Sequence, residues 1–74
     1  MKITVKLFAT LRDQRFDKSD INCPEGAVVR DILKIIKLAE EDVAIIFLNG
    51  RHAEFDDIIN ANDTLAFFPP IGGG

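Results

Sequence analysis

The chain contains a single cysteine in 74 residues. An internal disulfide is therefore impossible, and the composition fits a reducing compartment. Long apolar runs are missing as well. None approaches the roughly 20 residues that a helix needs to cross a bilayer, and Lys2 leads straight into a strand pattern rather than a targeting segment. The expected location is the cytoplasm, with no membrane partner. Positive charge is scarce: nine Lys and Arg against twelve Asp and Glu leave a net charge of −3, the wrong balance for a nucleic-acid partner. No second histidine is present to complete a metal site with His52, which reads as a surface residue. Asp56-Asp57 and Glu40-Glu41-Asp42 read as solvated charge rather than cation ligands.

The chain also lacks a nucleophile–base pair. Its one glycine run, Gly72-Gly73-Gly74, is followed by no helix, which excludes a phosphate-binding loop. No bound cofactor and no metal are expected, and the chain is not expected to be an enzyme by itself. What is present is one small folding unit, residues 1–74. At 47% apolar and 28% charged residues it is too hydrophobic for a disordered chain. Its core must be modest and its stability marginal. Cys23 reads as a small buried hydrophobe rather than a sulfur-carrying thiol.

Periodicity orders the elements. Lys2 to Phe8 alternates as a half-buried strand with Ile3, Val5 and Leu7 inward, which leaves the aromatic Phe8 among polar neighbours on the other face. Ala9 to Asp20 is turn-like, with Phe16 opening a second strand that ends near Ile21-Asn22-Cys23, where Pro24-Glu25-Gly26 breaks it. Val28 to Ala39 reads as the main helix. Its apolar stripe is Val28, Ile32, Ile35, Ile36 and Ala39, with Val29 and Leu33 at the edge and Arg30, Lys34 and Lys37 opposite. Glu40-Glu41-Asp42 sits badly against a helix C-terminus and marks its end.

Val43 to Leu48 is a continuous apolar run, a strand covered on both faces, whose outward set periodicity leaves open. Asn49-Gly50 is a hairpin turn, with Arg51 to Glu54 returning. Phe55 to Ile59 has the length of a single helical turn, Asn60-Ala61-Asn62-Asp63 is a turn cluster, and Thr64 to Phe68 is the last strand. Pro69 has no N–H to offer a sheet and ends it. Hairpin, helix, hairpin and strand make an α+β fold of the β-grasp type, a mixed sheet of four to five strands with the helix on one face. The last strand belongs beside the first, and that placement sends the tail out at an edge. Phe8 and Phe68 then share the face away from the helix, either as a docking patch beside the tail or as a cover for the open sheet face.

Residues 69–74 form an extended tail. Glycine threads narrow sites because it has no Cβ, and its entropic cost shows that stability is not the tail's purpose. Pro69-Pro70 presets extended geometry as a stiff strut. From Ile71 to Gly74 the reach is at most about 14 Å, at roughly 3.5 Å per residue. The Gly74 α-carboxylate is the candidate reactive group, with Gly73 beside it and Pro69, Pro70, Ile71 and Gly72 as the part a partner holds.

Two segments resemble the ubiquitin-like sulfur carriers, and among them the small subunits of molybdopterin synthases. Phe8-Ala9-Thr10-Leu11-Arg12-Asp13 is similar to the family's Phe-Ala/Gly-x-x-Arg-Glu/Asp stretch. Leu65-Ala66-Phe67-Phe68-Pro69-Pro70-Ile71-Gly72-Gly73-Gly74 is similar to its Val-Ala-Phe-Phe-Pro-Pro-Val-x-Gly-Gly ending. The chain is somewhat short for the family between the helix and the third strand.

The resemblance implies a carrier cycle. A ubiquitin-activating-type adenylyltransferase consumes ATP to adenylate Gly74, and a sulfur donor converts the acyl-adenylate to a thiocarboxylate. The molybdopterin synthase large subunit then holds the charged tail against a pterin precursor. It further implies that Phe8 and Phe68 contact that large subunit. Three other readings stand beside this one: a thiamine-pathway sulfur carrier, a ubiquitin-like modifier joined through Gly74 to lysines, and a plain interaction module. The Phe-Pro-Pro anchor speaks against the first. Arg12 and Asp13 fit either a contact with the activating enzyme or a surface pair.

Overall fold

The protein is described here by a computed structural model, in which residues 1–71 are described. Strand β1 (Lys2–Leu7) buries Ile3, Val5 and Leu7 to 2% exposure or less, as its alternation requires. It pairs antiparallel with β2 (Lys18–Asn22), Lys2 opposite Asn22 and Lys6 opposite Lys18. A 3-10 turn at Ala9–Arg12 lies between them. The second strand starts later than the sequence suggests. Phe16 stays in the connecting loop and packs half-buried against the core.

Helix α1 (Val29–Ile35) is shorter than the periodicity predicts. Its end is a Schellman motif: Lys37 has φ 59°, Leu38 N–H reaches Leu33 O at 2.9 Å and Lys37 N–H reaches Lys34 O at 3.2 Å. This turn drives Leu38 into the core next to Leu33, which satisfies the orphan carbonyls and buries an apolar side chain together. The buried stripe is Val29, Ile32 and Leu33, while Ile35 is 43% exposed. The expected stripe was thus rotated, because Val28 stands outside the helix in a β-bridge to Ile58. Its N–H is capped by the Asp31 carboxylate at 3.0 Å.

A second 3-10 turn (Glu40–Asp42) precedes β3 (Ile45–Leu48). The apolar run is not one strand. Val43 and Ile46 are both buried although three residues apart, so the alternation breaks near Ala44. Asn49 and Gly50 adopt φ 52° and 81°, the paired positive values that a tight hairpin needs, and lead into β4 (Arg51–His52), shorter than expected. The single helical turn expected over Phe55–Ile59 is absent. That stretch is a turn followed by the Ile58 bridge, with the Asp57 carboxylate accepting from Glu54 N–H.

Strand β5 (Thr64–Phe68) runs parallel to β1 and antiparallel to β3. The order β2-β1-β5-β3-β4 puts it third of five, so the tail leaves the end of the central strand and not an edge. The helix closes one face over Ile3, Val5, Leu7, Leu65 and Phe67, each fully buried. Each such side chain contributes roughly 1.5–3 kcal/mol, enough to hold a small domain. The resulting arrangement is the β-grasp.

Charge pins the loops around the helix. Arg30 Nε donates to Glu40 at 2.7 Å, Arg30 Nη1 donates to Asp56, and the guanidinium sits 5.7 Å from the Phe55 ring centre. Glu40 and Asp56 are therefore ion-paired and not merely solvated. Their hydrogen bonds, that to Glu40 first, raise the Arg30 pKa above its already high ordinary value.

Candidate functional site at the root of the tail

Three elements converge where β5 ends. Asn49 ties the hairpin to the start of β5: its side-chain oxygen accepts from Thr64 N–H at 2.8 Å and its amide donates to Asp63 at 2.9 Å. This pins the register of the strand, and with it the placement of Phe68. At the far end, Phe8 N–H reaches Phe67 O at 3.2 Å and Ala44 N–H reaches Phe68 O at 2.8 Å. Phe68 O is the last tail-side acceptor of a backbone hydrogen bond among the described residues. Pairing stops at Pro69, as its missing N–H dictates.

Phe8 continues β1 in an extended conformation, φ −124° and ψ 152°. Ala9 then turns the chain away with φ 54°. Glycine adopts that left-handed conformation freely, and an unbranched residue such as Ala does so at a small cost. The turn leaves the Phe8 ring on the open sheet face. Phe8 and Phe68 stack with centroids 4.3 Å apart and planes 9° from parallel, so the structure brings together the two aromatics singled out in the sequence.

Two further members join them, the first from the apolar run whose outward set periodicity leaves open. Phe47 stands edge-on to Phe68 at 5.7 Å, and His52 edge-on to Phe47 at 5.9 Å. By register Ile45 also shares this face with Phe68. The signal that could have found Phe47 is the Asn-Gly turn: it pairs Phe47 with His52, and an exposed histidine marks the outer face. An open recess of about 350 Å³ runs beside the rings, lined by Lys6, Phe8, Phe47, Gly50, Thr64 and Ala66.

On the other side of the tail, Pro69 and Pro70 border a recess of about 530 Å³ formed with Ala9, Thr10, Arg15 and Leu38 among others. Pro69 is half-buried, Pro70 is exposed, and Ile71 is 91% exposed. Gly72, Gly73 and Gly74, the expected reactive end, lie outside the described residues.

The remaining candidates resolve simply. Arg12 pairs with Asp17 at 3.9 Å rather than with Asp13. Cys23 is buried, its backbone tied at both N–H and C=O to Met1. Among the described residues no group of three or more potential ligands gathers for a metal, and no helix is long and apolar enough to cross a membrane.

A five-stranded mixed sheet under one helix, with a tail leaving its central strand beside a stacked aromatic pair, defines a ubiquitin-like β-grasp domain. Residues 5–74 match the ThiS family, and the chain belongs to that family. Among solved structures it is similar to a Pyrococcus furiosus protein provisionally assigned as molybdopterin converting factor subunit 1. That pair shares 34% identity and a TM-score of 0.80, over 96% of this chain and 99% of the other.

The fold also matches small archaeal modifier protein 1 of H. volcanii at 23% identity and TM-score 0.76, over 95% of this chain and 98% of that one. It matches a chain of the complex of subunits 1 and 2 of molybdopterin-converting factor from Helicobacter pylori at 19% identity and TM-score 0.69, with both chains fully covered. No curated protein matches the chain in sequence.

Proposed function

We propose that the chain carries sulfur on the carboxylate of Gly74 and delivers it as the small, non-catalytic subunit of a molybdopterin synthase. The observation that carries this reading is the Phe8–Phe68 stack, 4.3 Å between centroids, beside the point where the tail leaves the sheet. A domain that only had to fold would have no use for stacked phenylalanines on an open face next to a proline-stiffened tail. A subunit that must seat its tail in a neighbour's pocket needs such an anchor. The 34% identity to a protein assigned as molybdopterin converting factor subunit 1 supports the pathway.

The chemistry asks little of the carrier. Its carboxylate attacks the α-phosphate of ATP on an adenylyltransferase, expelling pyrophosphate. A sulfur nucleophile displaces AMP from the acyl carbon and leaves a thiocarboxylate. That group is ionised at neutral pH and is nucleophilic without help from any side chain of this chain. On the large subunit its sulfur bonds to a carbon of the pterin precursor, and water then cleaves the acyl–sulfur bond, so that the sulfur stays with the pterin and the water oxygen restores the carboxylate. ATP is a substrate of the activating partner and not a cofactor held here.

Intact mass after incubation with ATP, the cognate adenylyltransferase and a sulfur donor tests the reading. The expected gain is that of one oxygen replaced by sulfur, alkylatable and absent from a Gly74 deletion whose melting temperature is unchanged. Full sulfur transfer by the deletion variant sinks the proposal. The fold shared with small archaeal modifier protein 1 supports a second reading, conjugation of Gly74 to lysines of other proteins. An isopeptide bond to Gly74 in cells would establish it.

A further inference from the structure

The open face of the sheet is basic on an acidic chain. Side chains that alternate away from the helix include Lys2, Thr4 and Lys6 on β1 and, opposite them in register, Asn22, Asp20 and Lys18 on β2. Asp20 is spoken for: it pairs with Lys2 at 3.8 Å and accepts from Thr4 Oγ1 at 3.0 Å. Lys6 and Lys18 face each other directly across the two strands, and neither has a carboxylate partner among the described residues. Like charges in that position destabilise a sheet. The whole chain carries −3, so carboxylates to neutralise them are not scarce in the sequence; they are on other surfaces. Lys6 also forms one wall of the recess beside Phe8 and Phe47, which makes the lysine pair continuous with the aromatic patch.

We infer that Lys6 and Lys18 form a basic ledge that reads acidic side chains on the protein docked against Phe8, Phe47 and Phe68. This rests on the docking reading above and adds to it the charge of the partner's surface. The aromatic rings supply contact area and the ledge supplies orientation. An apolar patch of near-symmetric stacked rings fixes no rotation by itself, whereas two cations on one flank accept a partner in one orientation and repel others. The occupant is an acidic strip on the synthase large subunit, set beside the pocket that takes the tail.

The test is binding of the full chain to the large subunit by titration calorimetry. Lys6→Glu, Lys18→Glu, their double variant and Lys34→Glu are compared, Lys34 being exposed on the helix across the sheet. Each single ledge reversal is expected to weaken binding about tenfold, with a melting temperature equal to or above that of the parent because the cross-strand repulsion is gone. The parent's affinity should fall between about 0.05 and 0.5 M salt, and that dependence should invert in the double variant, whose two glutamates repel the acidic strip until salt screens them. Lys34→Glu, with the same change in net charge, should bind as the parent does.

Binding indifferent to salt and to both reversals overturns the ledge while leaving the synthase reading intact. Failure of the parent chain to bind overturns both. A self-associated chain whose dimer is lost in Lys18→Glu would assign the face to a second copy and overturn the proposal.

Discussion

Phe67 and Phe68 are neighbours in sequence and belong to different parts of the protein's work. Both lie on the central strand, one on each face of the sheet. The Phe67 side chain is fully buried under α1 with Leu65, Val5 and Leu7. Phe68 is half-buried, and its ring meets Phe8 and Phe47 on the face away from α1. The inner face is bounded by aliphatic side chains whose removal leaves a cavity. The outer face is bounded by rings and two lysines, and removal there leaves more solvent. One strand thus separates what holds the fold from what meets a partner, and it does so within the residues that also launch the tail.

Substitution at Phe67 is expected to have the largest effect. Phe67→Ala should cost about 3–5 kcal/mol, a large share of the roughly 5–15 kcal/mol that holds a small domain. Urea titration should show the midpoint collapsing toward zero. A loss below about 1 kcal/mol would mean that the inner face is not the core.

Phe68→Ala should reverse the pattern. The stacked pair contributes about 0.5–1.5 kcal/mol to the fold, so the midpoint should move little. Affinity for the large subunit should fall about 30-fold or more, since an anchor ring at an interface is worth roughly 2 kcal/mol or more. If the midpoint falls as far as it does for Phe67→Ala, the two faces are energetically alike and the docking reading loses its support.

The contrast between faces was legible where alternation was strict. Lys2 to Leu7 and Thr64 to Phe68 each bury one parity, Ile3, Val5 and Leu7 on the first and Leu65 and Phe67 on the second, and pairing the two strands puts Phe8 and Phe68 together without further information. The Asn49-Gly50 turn was equally plain, because few other pairs accept positive φ at both positions. The helix end was not legible. A left-handed cap is announced by glycine or asparagine, and here Lys37 takes that conformation to let Leu38 reach the core.

Phe47 escaped for a different reason. In an unbroken apolar run both parities look buried, and the break near Ala44 is made by tertiary pairing of its N–H with Phe68 O. What sequence could not show in the site is therefore the part that depends on two distant segments meeting, such as Phe47 against Phe68. The pair Lys6 and Lys18 belongs to the same class, since only the hairpin register makes them opposite.

A subtler test of the division between faces lies at Ala9, whose backbone turn aims the Phe8 ring. Its φ of 54° ends β1 and leaves Phe8 on the outer face. A β-branched side chain there is strained, at roughly 1–3 kcal/mol for a residue held in that region. Ala9→Val should thus lower the melting temperature by several degrees, at about 4–8 °C per kcal/mol for a domain of this size. It should also weaken partner binding, because relief of the strain shifts Phe8 off Phe68. Ala9→Gly removes the Cβ and adds chain entropy to the unfolded state, two small effects of opposite sign, so both stability and binding should stay near the parent. The informative measurement is the ratio of the two responses in Ala9→Val. Binding that falls further than the added instability explains would show that the left-handed turn exists to present Phe8. Equal losses would make it no more than the end of a strand.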